Sequence, residues 1–300
     1  MSADLHNGSR EVVPVTVVLP TIGRPALIRR CLQSLAHCQP RADEVLVVDS
    51  STDRTIADVV AAFSDMGARA IRCTTRGLGH AFNLGLRDAK HELVLLTNDD
   101  CTVEPSWVER GLHHLSGHGD AIVTGRVRPD GDPAVVPSIV DYPGAREYVG
   151  RPAFVLFTQC MALRRGDVLA IGGFDGRIRP SGEDNDLSYR WLRGGRRIRY
   201  EPDFIVWHHD WRTREQLERL YVGYGIGQGF VYAKHLRRGD VVIARYLLRD
   251  IGAICRGVAA RLVLGRRSAA DPRLGLLRGL PIGLMSGWRA GRSPTSSRRQ

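Results

Sequence analysis

Three short, almost wholly apolar runs, each closed by a polar cluster, constrain this chain more than any other feature: residues 12–19, 44–48 and 93–96. Without polar alternation, such runs read as strands buried on both faces. Helical patterns lie between them. Residues 25–37 open on a proline suited to a helix start and space Leu27, Ile28, Cys31, Leu32 and Leu35 by three and four positions. Residues 55–66 and 78–89 follow as further helices, and 70–73 as a short strand. Strands alternating with helices predict an α/β fold with a Rossmann-like, mostly parallel sheet that binds ligands beyond the carboxyl ends of its strands. Residues 21–24, 49–53 and 98–100 fall at those ends.

Beyond Pro105 the alternation loosens. Residues 121–127 and 154–163 read as strands, 129–143 as a proline- and glycine-rich loop, 184–192 as a helix and 199–208 as extended chain. From Arg214 helix is favoured, notably over 241–264, where Arg245, Arg249, Arg256 and Arg261 interrupt apolar residues. The expected organisation is a flexible start (1–11), a main domain (12–213, with halves 12–105 and 106–213), a helical region (214–290) and a disordered tail (291–300).

A content of 43% hydrophobic and 25% charged residues is that of a globular chain and excludes a fibre or a disordered segment. The six cysteines include no CxxC pair, which argues against a zinc knuckle or a disulfide framework and fits a reducing, cytoplasmic setting. The first residues lack the pattern of a signal peptide, and no run reaches the roughly 18 apolar residues of a spanning helix. Charge is uneven: residues 211–300 hold 18 basic and 5 acidic side chains, against 25 and 27 in residues 1–210. A basic surface of this kind suits nucleic acid or an anionic membrane.

Asp99 and Asp100 follow a buried strand, where carboxylate oxygens suit Mg2+ or Mn2+ bridging to a diphosphate. A simple turn is the alternative. Asp49 holds the same position after its own strand. Neither GxGxxG nor GxxxxGK[ST] is present, which disfavours nicotinamide, flavin and P-loop chemistry. Residues 172–186 form a second acidic concentration, Asp175, Glu183, Asp184 and Asp186; a carboxylate at a helix start keeps a low pKa unless burial opposes it. Such a base can deprotonate an attacking hydroxyl, and helix capping by Ser181, Glu183 or Asp184 is the alternative. Of the adjacent His208 and His209, strand geometry lets at most one enter a site. No GxSxG elbow supports a hydrolase triad, and Cys31 and Cys38 read as core residues.

Four segments in order, VLPTIGRPALIRRCLQSL, EVLVVDSSTDRT, LGHAFNLGLRDAKHELVLLTNDDCTVEPSW and GGFDGRIRPSGEDNDLSYRWLRGG, resemble the family 2 glycosyltransferases with a GT-A fold over residues 13–210. The resemblance implies inverting transfer of a sugar from a nucleotide diphosphate to an acceptor hydroxyl, with Mg2+ or Mn2+. It places Pro20, Thr21, Arg24, Asp49, Ser51, Arg76, Asn98 and Asp99 on the nucleotide. Asn98-Asp99-Asp100 resembles the family's DxD motif with Asn98 in place of the first aspartate, Asp100 binding the metal and His208 closing its site. Asp184 matches the base of the ED motif, with Glu183 orienting it. Gly182, Asp186 and Trp191 fall on the acceptor side, Trp191 lining it or packing beneath.

The expected donor is a UDP-, dTDP- or GDP-sugar and the acceptor a glycan, a glycolipid or a soluble small molecule. For the basic carboxyl-terminal helices two readings stand: a peripheral contact with an anionic membrane, placing the protein at the inner face of the plasma membrane, or packing on the catalytic domain. A nucleotidyltransferase and a non-catalytic nucleic-acid binder are the alternatives from other classes. The first lacks a clear phosphate loop, and the second lacks aromatics arranged for stacking, so no nucleic acid is expected.

Overall fold

The computed structural model describes residues 11–264 and 272–290. The amino-terminal alternation is realised by strand β1 (Val12–Thr21), helix α1 (Pro25–Ala36), β2 (Arg41–Asp49), α2 (Thr55–Ala61), β3 (Ala68–Arg72), α3 (Leu78–Asp88) and β4 (Leu93–Leu96). β1 pairs in parallel with β2 and β4, and β2 in parallel with β3. Val17 and Leu19 point into one core with Ile28, Leu32 and Ile56, while Val18 points into the other with Phe82 and Leu86. Burial on both faces is why these strands are apolar throughout. The expected helix over 55–66 is interrupted after Ala61 and resumes as a 3-10 turn, Ser64–Met66.

The chain continues through β5 (Cys101–Val103), α4 (Trp107–Gly117), β6 (Ala121–Asp130), β7 (Arg146–Tyr148), β8 (Met161–Arg164), α5 (Arg165–Ala170), α6 (Glu183–Arg193) and β9 (Arg197–His209). The sheet order is β3-β2-β1-β4-β8-β6-β9-β5, with β7 also on β9. β8 runs antiparallel to β4 and β6, β5 and β7 antiparallel to β9, and only β6 and β9 are parallel in this half. The sheet is therefore mixed, which corrects the expectation of a mostly parallel one. A parallel neighbour needs a crossover, usually a helix, and residues 149–160 form none before β8. The strand expected over 154–163 exists only from Met161, because Phe154, Phe157, Thr158 and Gln159 instead line a cavity.

Three helices follow: α7 (Arg214–Leu236), α8 (Val241–Leu264) and α9 (Pro272–Ala290). Thr213 starts α7 with a reciprocal cap, its Oγ1 accepting from the Gln216 N–H at 3.3 Å while its own N–H donates to Gln216 Oε1 at 2.8 Å. α7 and α9 meet along glycines. A Cβ on Gly279 or Gly283 would stand 2.1 or 2.0 Å from the carbonyl oxygen of Val222 or Ile226, so the backbones touch where side chains would normally separate them. The expected flexible start and disordered tail lie, Glu11 apart, outside the described residues.

Candidate active site

Thr21, Asp49 and the Asn98-Asp99-Asp100 segment stand side by side at the carboxyl ends of β1, β2 and β4. Asp99 is fully buried and binds inward: Thr21 Oγ1 donates to it at 2.5 Å, and Arg24 grips both its oxygens at 2.5 and 2.9 Å. Asp49 accepts from the N–H and Oγ of Ser51 at 2.8 and 2.5 Å, and Arg72 reaches it at 3.2 Å. Ser51 Oγ in turn accepts from the Gly23 N–H at 2.7 Å, tying the loops after β1 and β2 together.

Asp100 looks the other way, toward the end of β9. Its Oδ2 accepts from Arg212 at 2.8 Å and from the Trp211 indole at 3.0 Å, with His208 Nε2 at 3.5 Å. Burial alone would raise the Asp100 pKa; the hydrogen bond and charge of His208, with Arg212 and Arg24, override it and hold the carboxyl well below its usual range. His208 Nδ1 lies 2.9 Å from the Pro137 carbonyl, which can only accept, so Nδ1 carries a proton; Nε2 faces Asp100, donates to it while the ring is charged, and would offer its lone pair to a cation once that second proton leaves. A carboxylate oxygen beside an imidazole nitrogen of fixed tautomer is a donor set that fits a divalent cation. His209 turns away to Asp130 at 2.6 Å, as strand geometry requires.

Glu183 and Asp184, at the first turn of α6, line the same cavity of about 480 Å³ as Asp100. Gly182 precedes them at φ +100°, a left-handed conformation that only glycine adopts without strain, and no side chain caps the helix. Burial pushes Asp184 up to about 6, although its carboxylate accepts the Asn185 N–H at 2.8 Å. Burial and the Asp184 charge push Glu183 up to about 8. A helix start keeps carboxyls acidic unless burial opposes it, and here desolvation outweighs it. Asn98 Oδ1, Gln159 Oε1, Ser181 Oγ and Glu183 Oε2 are buried polar atoms without a protein partner, and all four residues line this cavity. Such a wall suits a polar ligand.

Two expected acceptor-side residues stand outside the wall. Asp186 is fully buried beneath α6, held by Arg190 at 2.7 Å, Lys234 at 2.6 Å and His235 at 3.0 Å. Trp191 packs in the core and donates its indole N–H to the Arg197 carbonyl at 2.7 Å, so it lies beneath the site rather than lining it. Gly182 lines the wall as expected; Thr21, Asp49 and Ser51 sit beside it, and Arg76 is exposed on the loop before α3. Trp211, Arg212, Tyr224 and Lys234 were not singled out from the sequence. Arg24 and Arg212 stack on the Trp211 ring at 4.9 and 4.3 Å, and Tyr224 and Gln228 bring α7 to the cavity.

Among the described residues, the one group that brings three His, Cys, Asp or Glu ligand atoms within 4.8 Å of one another is His114, Glu201 and Asp203. It lies on α4 and β9 outside the cavity wall, with Arg110, His114 and Arg199 already pairing its carboxylates.

The family model described as Glycosyl transferase family 2 matches residues 16–171, which carry β1 through α5 and the Asp100 side of the cavity. The chain belongs to glycosyl transferase family 2. A pre-mycofactocin glycosyltransferase of Mycobacterium tuberculosis is 31% identical over 212 residues, covering 67% of this chain and 43% of the relative. The family 2 chain thus spans less than half the length of that curated relative. In fold it is similar to the mannosyltransferase PcManGT of Pyrobaculum calidifontis, solved with GDP-Man and Mn2+ (TM-score 0.59, 19% identity, 94% of this chain and 89% of that one). It is also similar to residues 1–349 of S. aureus TarS, solved with UDP-GlcNAc (TM-score 0.58, 19% identity, 70% and 66%).

Proposed function

We propose that this chain transfers a sugar from a nucleotide-diphosphate donor to an acceptor hydroxyl, with inversion at the anomeric carbon. The observation that carries this reading is that Asp100, His208, Glu183 and Asp184 line one cavity. The nucleoside belongs beside Thr21, Asp49 and Ser51, with the diphosphate toward Asp100. Asp100 and His208 would hold Mg2+ or Mn2+, and such an ion supplies positive charge to the leaving diphosphate. Arg24 and Arg212 add cationic donors on the same wall.

Asp184 is the general base. With its pKa near 6 it is ionised at neutral pH and still basic enough to accept a proton. As the acceptor oxygen bonds to the anomeric carbon and the bond to the diphosphate breaks, the hydroxyl proton passes to Asp184. Glu183, neutral below about pH 8, keeps a second negative charge away from Asp184 during that step.

The UDP-GlcNAc and GDP-Man complexes of the structural relatives support a nucleotide-sugar donor. For the acceptor, the apolar side chains of Phe154, Phe157, Leu220 and Leu276 on the cavity lining favour a molecule with an apolar part, in line with a relative named for pre-mycofactocin. Calorimetric binding of UDP-, dTDP- and GDP-sugars, with and without Mn2+, tests the donor reading. Metal-dependent binding of one donor is expected, and no binding by any of them to the folded protein would overturn it.

A further inference from the structure

α9 has two unlike faces. Gly275, Gly279, Gly283 and Gly287 are buried against α7, while Leu277, Ile282, Met285 and Trp288 are exposed on the opposite side, with Arg278 and Arg289 among them. α8 repeats the pattern: Ile243 and Ile254 are buried, and Val241, Leu248 and Ile251 are exposed beside Arg245, Arg249 and Arg256. Seven of the twelve exposed large hydrophobic side chains among the described residues lie on these two helices, so the apolar surface is concentrated there. Residues 241–260 and 272–290 carry six arginines and a single carboxylate, the part-buried Asp250, which accepts from Tyr232 at 2.5 Å and pairs with Arg249 at 3.3 Å.

We infer that the exposed face of α8 and α9 docks this protein on the surface of an anionic lipid bilayer. Apolar side chains reach the acyl boundary while arginines meet the headgroups, which is the chemistry of a helix lying in an interface. A notch of about 500 Å³ beside Leu236, Leu284, Met285 and Trp288 gives an acyl chain a place to enter. The face does not suit a second copy of this chain, since symmetric pairing would set arginines against arginines with, among the described residues of the two helices, only the part-buried Asp250 to offset them. Nor does it cross the bilayer: among the described residues no helix is long and apolar enough. Docking here is separate from donor chemistry and stands whether or not the proposed transfer is correct.

The test is flotation of the full chain with phosphatidylcholine vesicles, with and without phosphatidylglycerol, at low and high salt. Binding is expected to phosphatidylglycerol vesicles at low salt and to fall steeply at high salt. Arg278→Glu with Arg289→Glu should lower it about tenfold or more. Leu277→Ser with Ile282→Ser and Met285→Ser should lower it while leaving the far-ultraviolet circular dichroism and the nucleotide-sugar binding unchanged. Undiminished binding by both variants, or no binding by the wild type, would overturn the inference. So would a dimer in sedimentation velocity that the serine variant splits, which would assign the face to self-association.

Discussion

A Cβ placed on Gly227 of α7 would stand 1.7 Å from the carbonyl oxygen of Ser181, so the helix and the loop that opens α6 meet backbone to backbone. The contact lies two residues before Glu183 and fixes where the paired carboxylates enter the cavity. Gly227→Ala should push that loop away, lowering kcat at least tenfold and stability by about 1–3 kcal/mol. Gly117→Ala, at a position where a Cβ meets nothing within 4 Å, is the control and should leave both nearly unchanged. Steady-state turnover and thermal melts of the two variants make the comparison.

The ammonium of Lys234 sits 2.6 Å from Asp186 and 2.7 Å from Asp175, bolting α6 and the loop before it to α7. Lys234→Met leaves buried carboxylates short of a partner and should cost about 3–5 kcal/mol in denaturant unfolding at neutral pH. Burial would raise both aspartates. The bonds of His235, Lys234 and Arg190 to Asp186, and of Arg177 and Lys234 to Asp175, instead hold both well below the ordinary range. Depressed carboxyls contribute stability that is complete above their unfolded pKa and is lost as pH falls through the folded values. The gap between wild type and variant should therefore narrow in acid, and a gap that stays constant with pH would contradict this.

At the end of β4, Asp100→Ala, and on β9, His208→Ala, should each weaken Mn2+-dependent donor binding at least tenfold, and chelation should reproduce the loss in the wild type. His209→Ala, whose ring faces Asp130, should not. Calorimetry with and without chelator reads all four.

The amino-terminal half was legible because its strands are buried on both faces and its helices keep a clean three- and four-residue spacing. The mixed half was not, since antiparallel entry of β8 is decided by the irregular path of residues 149–160 and leaves no periodic trace. α4 was overlooked although Trp107, Val108, Gly111 and Leu115 carry helical spacing. Asp100, His208, Glu183, Asp184 and Gly182 all reach the cavity. Asp186 does not, because two positions along a helix turn a side chain by about 200°. Trp191 faces as Asp184 does but lies about 10 Å farther along the helix, over the sheet. Arg212 and Trp211 follow the two histidines directly, a signal visible in the sequence. So was Lys234, one of only two lysines among 43 basic residues.

The raised pKa values of the carboxylate pair set a pH window. Activity should fall as pH drops through about 6, where Asp184 takes up a proton, and fall again above about 8, where Glu183 ionises beside it. Glu183→Gln should keep neutral-pH activity within severalfold and remove the alkaline limb. An unchanged alkaline limb in this variant would sink the role given to Glu183.

The proposed role of Asp184 as the base separates from donor binding when donor affinity is compared with transfer rate in Asp184→Asn, using the nucleotide-sugar that binds and following release of the nucleoside diphosphate. A donor Kd within about threefold of wild type and a rate lower by about 10²–10⁴-fold are expected. Turnover at the wild-type rate by the Asp184→Asn protein would contradict that role.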